Sequence, residues 1–293
     1  KKYFAKSGLP TARCAKVTTL AKAMAFAAEV GYPMVAKPDN GVGANGTCKI
    51  MGEHQLREFF ADKPGVPYLL EEYITGEVTT YDGVCNSKGE VLFAASHITP
   101  GSIMDMRNEG APTYYYVDKT MPADVEKAGK AVLKAFDVRA RAFHLEFFRL
   151  TEAKRGLGEV GDLVALEVNM RPAGGYTPDM INYSQSTDLY QIWADMVAFD
   201  ECRNTYEGPK SYCVYVGRRD GKDYALTLPE LQAEVGAHGR LFAHMPDALA
   251  VAMGNQAAIA CYDTLPEVKA FVKRAFAHAP KMLAAPAKKS RKK

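Results

Sequence analysis

One short segment near the middle of the chain carries polar side chains at alternate positions of an apolar strand. Val164, Leu166, Val168 and Met170 are predicted to face a core, and Glu167, Asn169 and Arg171 the opposite side. Glutamate and asparagine supply the hard oxygen ligands that Mg²⁺ prefers, and arginine presents a planar fork for phosphate or carboxylate. The row therefore predicts a cation beside a phosphate group. A solvated strand edge is the alternative.

The composition is that of an ordinary globular protein and excludes several classes of function. Of the 293 residues, 47% are hydrophobic and 24% are charged, which is sufficient for one large or two smaller domains. No apolar run approaches the ~20 residues of a membrane span, and a net charge of +3 is too small to indicate nucleic acid. The six cysteines form no CxxC pair and no cluster with histidine, which argues against zinc and favours a reducing compartment. We therefore expect a cytoplasmic protein without nucleic-acid or membrane partners.

A glycine-rich segment follows a short predicted strand that ends in Lys37. The glycines lie within 41–46, among them Gly43, and a returning strand is predicted over 47–51. A dinucleotide fold would require a helix after the glycines, a P-loop would require Gly-Lys-Ser/Thr, and a protein kinase would carry its lysine on a later strand. The pattern therefore predicts a strand–loop–strand flap whose backbone amides and Lys37 approach nucleotide phosphates. A flexible hairpin with a surface lysine is the alternative.

A second polar segment joins this first part of the chain to a region rich in predicted strands. Its sequence is Glu71-Glu72-Tyr73-Ile74-Thr75-Gly76-Glu77. A hinge of this kind can offer backbone C=O and N–H groups to the edge of adenine, and a nearby carboxylate can accept hydrogen bonds from ribose hydroxyls. Glu77 stands just beyond the Gly76 turn, in a suitable position for the ribose. Two acidic residues at a solvated strand end are the alternative.

Taken in order, these segments resemble the ATP-grasp superfamily. The shared features are Lys37 before a glycine flap, the acidic hinge with Glu77, and Glu146 ahead of the row that ends at Arg171, over about residues 1–200. Within the superfamily, the chain is most similar to carboxylate–amine ligases and to carbamoyl-phosphate-synthetase-like proteins. The sequence Arg171-Pro-Ala-Gly-Gly, followed by a predicted Tyr- and Asp-rich helix, supports that likeness.

The resemblance implies an α+β fold in which two subdomains with antiparallel sheets hold ATP between them. We expect a small subdomain with the glycine flap over 1–75 and a large subdomain with the metal and substrate site over 76–200. A C-terminal α+β extension with a basic tail is expected over 201–293. Because the superfamily usually has an earlier N-terminal domain, we also expect that residues precede Lys1.

The resemblance also assigns roles to single residues. The flap and its lysine are expected to hold phosphates, the hinge to meet adenine largely through backbone groups, and the carboxylate beyond it to bind ribose. The expected nucleotide-binding residues are Lys37, Gly43, Glu71, Glu72, Ile74 and Glu77. The expected ligands of Mg²⁺, or of Mn²⁺ in its place, are Glu146, Glu167 and Asn169, and Arg171 is expected to act on the reacting acyl group.

The reaction implied by the resemblance is an ADP-forming ligation of a small carboxylate, such as an amino acid, to an amine. It requires no side-chain nucleophile, in agreement with a sequence that has no Ser-His-Asp or Cys-His arrangement. Two alternatives stay open: a nucleotide-binding module or piece of a larger enzyme, and a carbamoyl-phosphate-synthetase-like enzyme that uses bicarbonate. Also left open are a homo-oligomer and the role of Arg218 and Arg219, which either reach the substrates or form an exposed basic pair.

Overall fold

The computed structural model describes residues 1–39, 46–62, 65, 67–101 and 113–278. Over these ranges the chain forms two antiparallel sheets flanked by helices, in agreement with the predicted α+β class. Gly43 and the basic C-terminal tail lie outside the described residues, so their predicted roles are not addressed. No described helix is both long enough and apolar enough to cross a membrane.

The smaller sheet is built near the N-terminus, in the strand order β1-β4-β2-β3. Its elements are β1 (Cys14–Val17), α2 (Leu20–Val30), β2 (Met34–Pro38), β3 (Cys48–Ile50), α3 (Glu53–Ala61) and β4 (Tyr68–Glu72). Helices α2 and α3 cover one face, where they pack on Met34, Ala36 and Leu70. Because side chains alternate along a strand, Lys37 and Glu71 lie on the uncovered face.

The larger sheet has nine strands in the order β10-β9-β5-β7-β8-β11-β13-β12, with β6 paired to β5. The strands are β5 (Gly76–Cys85), β6 (Val91–Ala95), β7 (His97–Thr99), β8 (Thr113–Val117), β9 (Arg141–Leu150), β10 (Leu163–Asn169), β11 (Tyr212–Arg218), β12 (Gly239–His244) and β13 (Gln256–Tyr262). The helices packed with it are α1 (Lys2–Ser7), α4 (Ala123–Phe136), α5 (Thr177–Gln185), α6 (Leu189–Phe199), α7 (Leu228–Val235), α8 (Asp247–Met253) and α9 (Leu265–Ala275).

Each face of the larger sheet has its own apolar core. Helix α4 packs over Tyr81, Leu145 and Phe147 on one face, and helices α5 and α6 pack over Val84 and Ala142 on the other. The second face becomes polar farther along β5 and β9, where Thr80, Asp82, His144 and Glu146 take the place of apolar residues. The predicted metal ligand Glu146 lies in this polar part of the face.

The N-terminal helix α1 and the strands after residue 200 both join the larger half of the fold. Phe4 of α1 packs into the core beneath α4, with its ring centroid 5.2 Å from that of Phe136. Strand β11 pairs with β8 along five residues, from Cys213 to Gly217, so the strands after residue 200 continue this sheet. The predicted C-terminal extension is α+β, and its strands complete the larger sheet.

Candidate active site

Glu146 and Glu167 stand directly opposite each other on the neighbouring strands β9 and β10. Residues paired in this way have Cβ atoms about 4.5–5.5 Å apart. A register shift between Ala165 and Glu167 makes this pairing, because the extra residue turns Glu167 to the face of Glu146. The predicted alternation from Val164 is therefore wrong at its first step: Val164 pairs with Phe148 and shares the face of the acidic pair.

The surroundings of Glu167 favour a positive charge between the two carboxylates. Glu167 is exposed to solvent, yet partial burial by the adjacent protein and the charge of Glu146 raise the pKa of Glu167. The charges of Lys37 and Arg171 offset part of this rise in pKa. Lys37 belongs to the smaller sheet, so charged groups of both sheets converge on this point.

The donor set fits Mg²⁺ that is shared with a phosphate. Asn169 donates its Nδ2 to Oε1 of Glu146 at 3.4 Å, which leaves its amide oxygen out of that bond. Among the described residues no three His, Cys, Asp or Glu side chains form a metal-binding group. Mg²⁺ usually binds one or two carboxylates together with substrate phosphates and water, rather than an all-protein cage. Two carboxylates and an amide oxygen are consistent with that mode.

Lys37 is held on the uncovered face of the smaller sheet by Glu71. Its Nζ lies 2.7 Å from Oε2 of Glu71, and Nζ of Lys1 lies 3.1 Å from Oε1 of the same carboxylate. Glu71 is 7% exposed, so its charge stays paired with these cations. The side chain of Glu71 therefore positions the lysine. A contact of Glu71 with adenine through its backbone stays a prediction.

The Glu72 side chain points to the opposite face and is not available to a nucleotide. Arg13 donates Nε to Oε2 at 2.9 Å and NH2 to Oε1 at 2.8 Å. Lys154, from the connection between β9 and β10, lies 3.4 Å from Oε1 and donates to the Tyr73 carbonyl at 2.8 Å. The structure thus excludes a side-chain contact of Glu72 with ATP, because this carboxylate joins the two sheets instead. A backbone contact stays a prediction.

We expect Glu72→Gln to reduce the free energy of unfolding by about 2 kcal/mol near neutral pH, because it weakens charged hydrogen bonds between half-exposed Arg13 and a buried carboxylate. Burial alone raises the pKa of Glu72, but Arg13 and Lys154 outweigh it and hold the pKa below its usual value. A carboxyl group whose pKa is lowered on folding stabilises the fold at pH values above its unfolded-state pKa. That stabilisation is lost as the pH falls through its folded-state pKa. The difference in unfolding free energy between wild type and variant should therefore narrow as the pH falls through the folded-state pKa of Glu72.

Urea unfolding at several pH values measures this difference. Glu29→Gln is a matched control, since Glu29 also lies near Arg13, at 3.6 Å, but its side chain is 61% exposed. We expect that control to change the free energy of unfolding by less than about 1 kcal/mol. An equal effect of the two substitutions would contradict the role of Glu72.

Ile74 combines a buried side chain with a backbone that is available for a ligand. The side chain is 6% exposed and packs with Ala12, Leu150 and Val164. Its backbone N–H and C=O form no hydrogen bond with any described residue. Buried backbone groups are normally paired, so the predicted contact of Ile74 with adenine is compatible with this geometry.

Glu77 lies away from the acidic pair. It is paired with Arg149 across β5 and β9, whereas Thr80 is paired with Glu146 three residues farther along. Residues at odd spacing point to opposite faces, so Glu77 and Glu146 occupy opposite faces of the larger sheet. The sequence did not reveal this separation, and the ribose contact of Glu77 stays a prediction.

The three arginines singled out in the sequence are placed differently by the structure. Arg171 is exposed and donates NH1 only to the adjacent Pro172 carbonyl, at 2.8 Å, among the described residues. Arg218 is 2% exposed and donates to the Leu226 carbonyl at 2.6 Å. Arg219 donates to the carbonyls of Ala250 and Val251 at the end of α8. Arg171 is therefore available to a substrate, while the other two are engaged in packing and are not an exposed basic pair.

A buried polar network beside Glu146 is absent from the sequence-based prediction. His144 lies 2.6 Å from Asp82 Oδ1 through Nδ1 and 3.0 Å from Glu146 Oε1 through Nε2. Thr80 Oγ1 and His97 Nδ1 donate to the other Asp82 oxygen at 2.5 and 2.7 Å.

The charges of this network support one another. Burial alone lowers the pKa of His144, but Asp82 and Glu146 outweigh it and raise that pKa to about 10. Burial alone raises the pKa of Asp82, but His97 and His144 hold it well below its usual value. The spacing His144-x-Glu146, which puts both side chains on one strand face, was the available signal in the sequence.

Comparison with solved structures finds the same fold in other proteins. The chain is similar to an L-amino acid ligase from Bacillus licheniformis, with a TM-score of 0.69, 14% identity and coverage of 94% of this chain and 68% of that one. It is also similar to N5-carboxyaminoimidazole synthetase from Staphylococcus aureus complexed with ADP, with a TM-score of 0.70, 12% identity and coverage of 94% and 69%. The chain has the ATP-grasp fold, and the resemblance predicted from its sequence is confirmed.

Sequence comparison points in the same direction over a shorter region. The chain is 30% identical over 145 residues to D-alanine--D-alanine ligase of Ectopseudomonas mendocina (strain ymp). The match covers 48% of this chain and 44% of that ligase, so less than half of the relative is represented. No protein-family model matches the chain.

Proposed function

We propose that the protein is an ATP-dependent, ADP-forming ligase that joins a small carboxylate, such as an amino acid, to an amine. The observation that carries the proposal is the direct pairing of Glu146 with Glu167, on a face that the charges of Lys37 and Arg171 also reach. Oxygen ligands, an ammonium group and a guanidinium are what a magnesium-bound triphosphate beside a carboxylate requires. The similarity to ligases supports the same class of reaction.

In this proposal the nucleotide lies between the two sheets. Lys37, steadied by Glu71, neutralises phosphate charge, and the Ile74 backbone takes the adenine edge. Glu146, Glu167 and Asn169 hold Mg²⁺, which offsets the charge of the triphosphate and orients it when bound.

The reaction conserves the energy of ATP in an acyl phosphate. A carboxylate oxygen of the substrate bonds to the γ-phosphorus while the bond from that phosphorus to ADP breaks. The amine nitrogen then bonds to the acyl carbon, phosphate leaves, and the amine loses a proton to solvent. Arg171 neutralises the negative charge of the acyl phosphate and of the tetrahedral adduct that forms when the amine attacks it, so catalysis rests on positioning and electrostatics.

ADP release with a panel of amino acids as carboxylate and amine tests this proposal. We expect release that requires Mg²⁺ and a substrate pair, with a condensation product detected by mass spectrometry. ADP binding without turnover on any pair would instead indicate a nucleotide-binding module. ATP turnover triggered by bicarbonate alone would indicate a carbamoyl-phosphate-synthetase-like reaction.

A further inference from the structure

We propose that His144 is a positioning residue that fixes the Glu146 carboxylate in the orientation in which it binds the metal. The inference rests on the proposed function, since it assumes that Glu146 is a ligand of Mg²⁺. It adds the buried Asp82–His144 pair to the site, although neither residue reaches the substrates.

The geometry places His144 between two carboxylates on one sheet face. Cross-strand pairing sets Asp82 opposite His144, and His144 precedes Glu146 by two residues on the same strand. Both ring nitrogens lie within hydrogen-bond distance of carboxylate oxygens, Nδ1 at 2.6 Å from Asp82 and Nε2 at 3.0 Å from Glu146. Because an ionised carboxylate only accepts hydrogen bonds, the ring is the donor in both contacts. His144 is 7% exposed, which keeps water from competing for these bonds.

The ring itself is held in place. Asp82 is 2% exposed and accepts hydrogen bonds from His97 and Thr80 as well as from His144. The rings of His97 and His144 also stack, with centroids 5.6 Å apart and an interplanar angle of 18°. His144 is therefore a rigid donor, and its direction is set mainly by Asp82 and His97.

A rigid donor on one oxygen of Glu146 leaves the other oxygen to bind the metal. Oε1 accepts from His144 Nε2 and Asn169 Nδ2, whereas no described residue donates to Oε2. A free glutamate side chain would have to lose rotamer freedom when it binds a cation. Hydrogen bonds that orient metal-binding carboxylates are typically worth about 10–100-fold in metal affinity.

Two substitutions of His144 separate its two hydrogen bonds. The amide nitrogen of asparagine lies near the position of Nδ1, so His144→Asn keeps the bond to Asp82 and loses the bond to Glu146. The amide nitrogen of glutamine lies near the position of Nε2, so His144→Gln keeps the bond to Glu146 and loses the bond to Asp82. His97→Asn is the matched control, because His97 has a similar exposure of 8% and also binds Asp82 but does not bind Glu146.

Mn²⁺ affinity in the presence of ADP, followed by electron paramagnetic resonance of free Mn²⁺, is the direct measurement. We expect His144→Asn to weaken Mn²⁺ binding about tenfold or more, and His144→Gln and His97→Asn to stay within about threefold of wild type. ADP affinity in the absence of divalent cations should be unchanged in all three. If His144 had a purely structural role, the Mn²⁺ affinities of the variants would not depend on which of the two hydrogen bonds each variant keeps.

The outcomes distinguish this inference from the proposed function. Equal losses of Mn²⁺ affinity in the two His144 variants would overturn the inference while the proposed function stands. The same holds if His97→Asn loses as much Mn²⁺ affinity as His144→Asn. If His144→Asn fails to fold by circular dichroism, His144→Gln decides: near-wild-type binding supports the inference and a tenfold loss overturns it. If wild type itself binds no Mn²⁺ with ADP, the proposed function fails and the inference fails with it.

Discussion

Glu167→Gln should abolish magnesium-dependent ADP formation and leave the protein folded. Glutamine removes one of the two negative charges that face each other across β9 and β10. Because the protein raises the pKa of Glu167, its ionised form is less favourable in the folded chain than in the unfolded chain. The resulting loss of folding stability begins as the pH rises above the unfolded-state pKa of Glu167 and is complete above its folded-state pKa. The neutral amide therefore costs the fold no stability near neutral pH, and only metal binding is lost.

Parallel measurements of ADP release and of the urea midpoint check this prediction. Glu152→Gln is the control, since Glu152 is an exposed glutamate in the connection between the same two strands. We expect the control to keep both activity and midpoint. Magnesium-dependent turnover in Glu167→Gln would mean that the metal is held by other groups.

Arg171→Ala should lower kcat by about 10²-fold, as the loss of a single oxyanion donor does. A carboxylate and a phosphate group repel each other, and one pair of unit charges 4 Å apart is worth about 4 kcal/mol at an effective dielectric constant of 20. Arg171 is exposed and bonded only to the adjacent carbonyl among the described residues, so its charge is free to offset this repulsion. The KM for ATP should change little, because Lys37 and the hinge remain.

Steady-state kinetics separate this effect from a loss of folding or of nucleotide binding. Arg171→Lys should recover part of kcat, since lysine keeps the charge but not the bidentate fork. Arg155→Ala is the control for a lost surface charge, because Arg155 is exposed in the connection before β10. A normal kcat in Arg171→Ala would remove Arg171 from the chemistry.

Local patterns in the sequence predicted most elements around the site. Strand β2 ends within one residue of Lys37, and β4 carries Glu71 and Glu72. Strands β9 and β10 carry Glu146 and Glu167. Helix α1 and strands β1 and β8 were not predicted, because each is short and gains its stability from packing on distant elements. Helix α1 lies against α4, and β8 lies between β7 and β11.

The structure corrected the positions of side chains where a pattern was interrupted or ambiguous. The bulge beyond Ala165 puts Val164 on the same face as Glu167, although the sequence predicted opposite faces for them; Glu167, Val168 and Asn169 keep the faces that were predicted. Glu71 and Glu72 look equivalent as neighbours in sequence, yet one holds Lys37 and the other is buried against Arg13. Which face of β4 would be covered depends on where α2 and α3 pack, and this is not encoded within the hinge itself.

The sequence by itself determined the types of groups available for the chemistry and their order along the chain, because strand alternation is a local property of the backbone. Only the tertiary structure decided which of those groups meet. Asp82 and His144 are 62 residues apart and become neighbours solely through the pairing of β5 with β9. Lys37 approaches Glu167 because two separate sheets pack together, and such long-range packing follows from the burial of apolar faces rather than from any motif.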